Sequence, residues 1–318
     1  MFPRTLSTLL CVLILSLTAV AESADETFID PDAAGPDFAI QGEYIGENSA
    51  AQVIALGEGK FHIVGWSKGL PGAVEDAEKK LEVEARREGD KVLFEGEGWK
   101  GEIDSGQLRA TNDEGRVREL RHTLRESPTL GAKPPAGALV LFDGTNADAW
   151  QNGHVDDRKL LQAGTKTKQA FGNCTIHVEF RTPFKPAARG QGRGNSGVYV
   201  QDRYECQVLD SFGLKGEDNE AGGIYKTSKP RLNMCFPPLS WQTYDIDFEA
   251  ARFDADGKKN KNAVLSVKLN GVLVQDHVEA PQPTPGAGLK ETPEPGPIQL
   301  QGHGNPVFYR NIWMVEKK

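Results

Sequence analysis

The stretch GNSGVYVQDRYECQVLDSFG, residues 194–213, contains two short runs of alternating apolar and polar side chains separated by a Gln-Asp-Arg turn. Alternation with a period of two predicts two strands joined as an antiparallel hairpin. In the second run Cys206 and Val208 point to one side of the sheet, whereas Glu205 and Gln207 point to the other. Because the apolar side fits a protein core, Glu205 and Gln207 are predicted to lie on the outer face of a sheet.

The same parity groups further side chains, on the assumption that their strands are neighbours in one sheet. The outer face is then polar and includes Glu179, Tyr199, Gln301 and His303 besides the two residues above. The predicted core set is Val198, Val200, Cys206, Val208, Ile298 and Leu300. Such a polar face suits a carbohydrate, because sugar hydroxyls need donors and acceptors and a sugar ring packs well on an aromatic side chain.

Strand patterns dominate the whole chain and predict an all-β fold. Three alternating stretches between residues 51 and 124, broken by Gly-containing turns, predict a meander of about six short strands. The part at 72–87 has helical propensity, but its apolar residues recur with period two and favour a strand. At least seven more strands follow residue 138, with the spacing typical of a β-sandwich or jelly roll.

The chain is therefore expected to contain two domains. We predict a small antiparallel β-domain of unknown role at 25–126, a Pro/Gly-rich linker at 127–137 and a jelly-roll domain at 138–318. Three insertions in the second domain, at 183–193, 214–239 and 281–297, are too rich in Gly, Pro and charge for a core. They are expected to form loops over one rim of the sandwich, where such folds place function.

The N-terminus has the pattern of a secretory signal peptide at residues 1–21. Arg4 supplies the positive charge, the apolar run at 6–20 is short for a membrane span, and Ala19-Val20-Ala21 resembles a cleavage site. An uncleaved anchor is the alternative. The favoured interpretation predicts a secreted or periplasmic protein with no membrane attachment after cleavage.

Charge and cysteine content exclude several classes of partner and site. The net charge of −8 argues against nucleic acid and anionic membranes, which bind clustered Lys and Arg. Removal of the leader would leave Cys174, Cys206 and Cys235, an odd number without CxxC or His pairing. We therefore expect buried free thiols rather than a disulfide framework or a zinc site.

Six motifs in order carry a resemblance to a known family: LVLFDGTNADAW, GNSGVYVQDRYECQVLDSFG, GGIYKTSKPRLNMCFPP, WQTYDIDFEAARFDADGKKNKNA, LNGVLV and GPIQLQGHGNPVFYRNIW. Together they resemble the 3-keto-disaccharide hydrolase domains, also known as the domain of unknown function 1080, over about residues 138–318. The resemblance implies a concanavalin A-like jelly roll, common in secreted bacterial proteins, that cleaves glycosides already oxidised to a ketone at C3. The chain departs from the family at Gly302, where Asp is usual, and at Cys206, where an apolar residue is usual.

The implied chemistry requires a base, an acid and an electrophile. A ketone at C3 acidifies the C2 proton, so that a base can remove it and the group at C1 can leave by elimination before water adds. Glu205 and His303 are the candidates for base and acid, in either order. Arg310, Gln207 or a bound divalent cation would stabilise the enolate. The resemblance implies no certain cofactor, and the implied partners are a carbohydrate substrate and a sugar-oxidising dehydrogenase acting upstream.

Other assignments have structural alternatives. Asn195 fits either a turn or a ligand contact, Arg310 fits either the site or a salt bridge, and Tyr225 fits either a sugar platform or the core. The alternative function is a non-catalytic carbohydrate-binding module. An enzyme requires that Glu205 and His303 converge on one pocket, whereas a binding module does not.

Overall fold

The computed structural model describes residues 26–75 and 77–317. The signal peptide predicted at 1–21 lies outside the described residues, so its cleavage stays a prediction. Among the described residues, no helix has the length and apolar character needed to cross a membrane.

The described chain is nearly all β, as predicted. Its helical elements are one α-helix, α1 (Gly35–Ile40), and 3-10 turns at Pro31–Ala33 and Gly190–Gly192. Its strands are β1 (Gly42–Gly46), β2 (Ser49–Gly57), β3 (Lys60–Ser67), β4 (Glu78–Glu88), β5 (Lys91–Gly96), β6 (Trp99–Asp104), β7 (Gln107–Asn112), β8 (Val117–Thr123), β9 (Leu139–Phe142), β10 (Trp150–Gln151), β11 (Leu161–Gln162), β12 (Thr165–Thr167), β13 (Cys174–Arg181), β14 (Ser196–Val200), β15 (Tyr204–Val208), β16 (Gln242–Glu249), β17 (Arg252–Phe253), β18 (Lys259–Lys261), β19 (Ala263–Leu269), β20 (Val272–Ala280), β21 (Gln299–Leu300) and β22 (Phe308–Glu316).

The first eight strands form a closed antiparallel barrel rather than the predicted meander of about six. The barrel closes where β1 pairs with β8, with Glu43 opposite Thr123. Strand β1 is short and contains two glycines, so it gives little alternation for sequence analysis to detect. The segment with helical propensity is the strand β4, as its period-two pattern predicted.

Strands after residue 138 form two sheets packed face to face. One sheet has the order β10-β12-β21-β14-β15, and the other has β11-β22-β13-β16-β19-β20 with β9 added beside β22. The predicted core set is confirmed: Val198, Val200, Cys206, Val208, Ile298 and Leu300 all belong to the cluster between the sheets and are at most 1% exposed. The hairpin β17–β18 projects as a separate two-stranded sheet.

The turn between β14 and β15 anchors a long loop over the outer face of the five-stranded sheet. Gln201 and Asp202 both have positive φ, at 58° and 53°. Residues other than glycine adopt this backbone conformation at some cost in free energy. Arg203 offsets this cost, because its guanidinium donates to the carbonyls of Lys290 and Glu294 and to the side chains of Gln201 and Thr292. The loop at 281–297 is thereby fixed to the hairpin.

The barrel and the sandwich contact each other through apolar side chains. Phe184 pairs through its backbone with Phe28 and, with Leu239, packs into the barrel core. The Pro/Gly-rich segment 127–137 is also bound to the sandwich, since the Gly131 amide donates to a carboxylate of the seven-stranded sheet at 2.6 Å. The division into two domains at this segment stays a prediction.

The cysteines of the described chain are free and buried, as expected from the sequence. Cys174, Cys206 and Cys235 are at most 2% exposed. Burial raises the pKa of each thiol above its ordinary value, to about 12 for Cys174 and Cys235. Thiolate, the reactive form, is therefore suppressed at neutral pH.

We expect the native protein without its leader to resist a thiol-specific reagent at pH 8 and to expose its three cysteines together on unfolding. The physical reason is that each thiol is both inaccessible and protonated in the folded state. The measurement is thiol titration with and without denaturant. Recovery of only one reactive thiol in denaturant would reveal a disulfide and contradict this expectation.

Candidate active site

A pocket of about 500 Å³ lies on the outer face of the five-stranded sheet. It is lined by residues from strands β14 and β15 and from the surrounding loops. The structure brings together these sequence-predicted site residues: Asn195, Tyr199, Glu205, Gln207, Tyr225, Gln301 and His303. The size is within the range of about 300–1,000 Å³ typical of small-molecule sites.

The polar face under this pocket is not a solvated sheet surface. Tyr199, Glu205 and Gln207 are each at most 2% exposed. The loop at 281–297 covers them closely: a Cβ at Gly286 would lie 2.9 Å from the Tyr199 hydroxyl, so that only glycine fits here without displacement. The face is therefore shielded from bulk water, in which electrostatic interactions would be screened.

Glu205 is the central ionisable group of the pocket. Its Oε2 accepts a hydrogen bond from the Tyr199 hydroxyl at 2.7 Å, and Gln301 donates to that hydroxyl at 3.1 Å. Gly197 lies on the neighbouring strand opposite Gln207, and a Cβ there would be only 2.2 Å from Glu205 Oε1. Burial raises the pKa of Glu205 to about 7, although the hydrogen bond from Tyr199 opposes the shift.

The Gln207 amide is the second polar partner of Glu205, at 2.8 Å from Oε1. If Glu205 is protonated, its O–H donates to the amide oxygen, and the amide nitrogen can donate to Gln191 at 2.9 Å. If Glu205 is ionised, the amide must be turned so that its nitrogen donates to the carboxylate. The amide orientation is thus coupled to the proton on Glu205.

His303 lines the same pocket from an exposed loop between two glycines. The departure from the family at Gly302 has a packing reason, because a Cβ there would lie 2.9 Å from the Cα of Gly164. An aspartate at this position would push the neighbouring turn aside. Gly302 therefore permits close approach of two backbones next to His303, and Cys206 simply fills the core.

Two residues that the sequence predicted for the site, Glu179 and Arg310, are not in the pocket. Both lie on the other, seven-stranded sheet. Arg310 donates to Glu179 Oε2 at 2.7 Å, while Asn311 and the Gly131 amide donate to Oε1. Burial alone would raise the pKa of Glu179, but hydrogen bonds from His177, Asn311 and Arg310 outweigh it and lower the pKa to about 2. Parity predicted the outward direction of Glu179, but it could not identify the sheet.

Sequence analysis missed four residues of the lining. Gln191, Pro285 and Gly286 lie in the long loops, and Asn305 follows His303. Loops have no periodicity from which direction can be predicted, so the available signal was only their Gly-rich composition and their expected position over one rim. All three insertions reach this pocket or its neighbourhood, consistent with that expectation.

No group of three or more His, Cys, Asp or Glu side chains suited to a metal occurs within 26–75 and 77–317. In the pocket lining, Glu205 is accompanied by amides, hydroxyls and the His303 imidazole. Strand β16 carries three further carboxylates, and each contacts a basic side chain outside the pocket: Asp245 contacts His177, Asp247 contacts Lys317, and Glu249 contacts Lys261.

Glu205→Gln should remove a specific pH dependence of stability. In wild type the unfolded chain loses this proton near pH 4.5, whereas the folded protein keeps it until about pH 7. The free energy of unfolding therefore falls as pH rises through this window, by roughly 3 kcal/mol from this group. The free energy of unfolding, measured with denaturant at pH 4.5 and at pH 8, should fall between the two pH values by about 3 kcal/mol more in wild type than in the variant. Glu279→Gln, on an exposed strand position, is the matched control and should show no such gain.

The chain is similar to solved structures. A crystal structure from Parabacteroides distasonis, described as a "putative glycosyl hydrolase", is 34% identical, covers 57% of this chain and 85% of its own, and has a TM-score of 0.52. A second so described from the same organism is 20% identical, covers 57% of this chain and 99% of its own, and has a TM-score of 0.40. Among curated proteins none matches.

The family comparison gives a more specific result. The model of the 3-keto-alpha-glucoside-1,2-lyase-like domain matches residues 137–315, more than half of the chain. Together with the 34% identical structure, this match supports a glycoside-related function and confirms the resemblance seen in the six sequence motifs. The chain therefore belongs to the 3-keto-alpha-glucoside-1,2-lyase-like domain family.

Proposed function

We propose that this protein cleaves 3-keto-glycosides by abstraction of the C2 proton followed by elimination across C1 and C2. The observation that carries the proposal is the Glu205 carboxyl, buried at a pocket of about 500 Å³ and with its pKa raised to about 7. A carboxyl with that pKa is partly ionised at neutral pH and basic enough to accept a proton from carbon activated by a ketone. The 1,2-lyase description of the family supports the same reaction class.

In the first step Glu205 acts as the base. The C2–H bond breaks, its proton passes to a carboxylate oxygen of Glu205, and the electron pair moves toward the C3 ketone to form an enolate. Donors beside Glu205 would then stabilise the negative charge on the enolate oxygen. The Tyr199 hydroxyl and the Gln207 amide contact the carboxyl, and the Gln301 amide nitrogen donates to the Tyr199 hydroxyl. In a pocket shielded from water such donors stabilise developing charge more strongly than in solution.

In the second step the glycosidic bond breaks. The enolate electron pair forms a C1–C2 double bond, and the C1–O bond electrons leave with the departing oxygen, which takes a proton from His303. Water then adds to the double bond: its oxygen bonds to C1, its proton passes to His303 and restores that acid, and Glu205 returns its proton to C2. The sum is hydrolysis, and release before water addition gives the lyase product.

The remaining lining suits a sugar substrate. Gln191, Asn195 and Asn305 present amides, and Tyr225 presents an aromatic side chain at the pocket edge. Gln301 Oε1 is buried without a hydrogen-bond partner in the described chain, so a substrate hydroxyl would satisfy it. Arg310 and Glu179 take no part in this proposal because they pair on the other sheet.

The proposal extends to location and to the source of substrate. The signal-peptide pattern at 1–21 favours export, so the reaction would take place outside the cytoplasm. A ketone at C3 arises by oxidation of a secondary alcohol, and the proposal therefore includes a sugar-oxidising dehydrogenase acting upstream.

Glu205→Gln and His303→Ala should each lower turnover of 3-keto-disaccharides by ~10² or more, since acid/base groups act mainly in the transition state. Affinity should be largely retained. The measurement is release of free 3-keto-sugar from a panel of 3-keto-disaccharides. In deuterated water, the wild type should place deuterium at C2, and Glu205→Gln should not.

Matched controls are Glu279→Gln and His154→Ala, both at exposed positions away from the pocket lining. They should keep full activity. Ordinary disaccharides should remain intact because their C2 proton is too weakly acidic. Equal cleavage of unoxidised substrate, or full activity of both site variants, would overturn the mechanism. A wild type that binds glycans and cleaves neither form would instead be a carbohydrate-binding module.

The pH profile assigns the roles of the two candidate groups. In the enzyme without substrate the pKa of Glu205 is about 7. If Glu205 is the base, kcat/KM should therefore rise with pH through that value. The profile is measured on wild type with a single 3-keto-disaccharide between pH 5 and 9. A fall through the same region would assign Glu205 as the acid and reverse the proposed roles.

A further inference from the structure

The barrel at the N-terminal side contains a second, chemically different cavity. Its volume is about 330 Å³, and apolar side chains dominate its wall: Ile63, Leu81, Phe94, Trp99, Leu108 and Leu120. An eight-stranded barrel is just wide enough to be filled by side chains or to hold one small ligand. In this barrel one half is filled by side chains and the other half encloses the cavity.

The filled half lies near α1. Val53, Phe61 and Val92 are completely buried there. Phe38 of α1 and Phe184 and Leu239 of the sandwich pack against the same cluster and close this end. The cavity is thus blind at the bottom.

The empty half results from small residues on facing strands. Ala51 pairs with Gly65 across β2 and β3, and Gly101 pairs with Ala110 across β6 and β7. The Phe94 ring occupies the space over Gly101, where a Cβ would lie 2.7 Å from the ring. Ala51, Gly65 and Ala110 line the cavity, and Leu81 packs against Gly65, where a Cβ would lie 3.1 Å from the Leu81 Cβ. A larger side chain at Ala51 or Ala110 would occupy the open volume.

The mouth of the cavity is basic. The charged residues that line it within the described chain are Lys80, Arg116 and Arg118. Arg118 shares the inward parity of the buried Leu120, and it is partly buried. Its guanidinium makes no hydrogen bond or ion pair with a described residue, whereas Lys80 pairs with Glu78 and Arg116 lies 3.9 Å from Glu114.

We propose that the barrel binds an amphipathic anion, a medium-chain fatty acid or a similar apolar carboxylate, with its chain in the cavity and its carboxylate at Arg118. An apolar, blind cavity gains from excluding water, and an unpaired guanidinium at its entrance recognises a carboxylate bidentately. The volume lies near the lower end of ligand pockets, about 300 Å³, which favours a chain of medium length. This site is distinct from the sugar pocket and independent of the proposed reaction.

The test is calorimetric titration of the purified protein with hexanoate, octanoate, decanoate and dodecanoate below their micelle concentrations. Each methylene that the cavity accepts should raise affinity about fourfold, and the gain should stop once the cavity is full. Decylammonium, with the same chain and opposite charge, should bind at least tenfold more weakly than decanoate.

Two variants and a control locate the site. Arg118→Glu should weaken decanoate at least tenfold and favour decylammonium. Arg121→Glu, exposed three residues along the same strand, should leave both affinities unchanged. Ala110→Leu, which fills the cavity from a buried position, should shorten the longest chain bound. Circular dichroism checks that each variant is folded.

Absence of saturable binding by all four carboxylates would overturn the proposal. It would also fail if decanoate and decylammonium bound equally, or if folded Arg118→Glu bound decanoate as wild type does. Loss of 3-keto-sugar cleavage in Glu205→Gln has no bearing on these titrations, so failure of one proposal is distinguishable from failure of the other.

Discussion

The site depends on the burial of one carboxyl group without an ion-pair partner among the described residues. Glu205 lies on the outer face of a sheet, which would ordinarily be wet, and is buried because the loop at 281–297 covers it. Arg203 fixes that loop through hydrogen bonds to its backbone carbonyls. The turn in the hairpin thus controls the dielectric around Glu205, and with it the acidity of the group.

A comparison of two buried glutamates shows how strongly surroundings determine acidity in this fold. Glu179 and Glu205 are exposed to 1% and 2%, but their pKa values are shifted in opposite directions. Glu179 is held by Arg310 and other donors and remains ionised, so it can stabilise the sheet and the segment at 127–137. Glu205 receives a neutral hydroxyl instead, and its proton remains available for exchange near neutral pH.

Sequence alone predicted the features that depend on local alternation. The opposite directions of Cys206 and Glu205 follow from strand parity, and the family motifs follow from residue identity. Parity could not place Glu179 in the correct sheet, because strand order depends on long-range pairing. Barrel closure through β1 and the burial of Glu205 could not be predicted from local sequence either, because both arise from contacts between segments far apart in the chain.

The loops that build the pocket around Glu205 also build the contact with the barrel. The segment at 183–193 contributes Phe184 to the barrel core and Gln191 to the pocket. The segment at 214–239 likewise contributes Leu239 to the barrel and Tyr225 to the pocket. Packing of the apolar end of each loop against the barrel restricts the conformations of its polar end. A loop restricted in this way loses less conformational entropy when a ligand binds. The barrel is therefore part of the scaffold that positions the pocket.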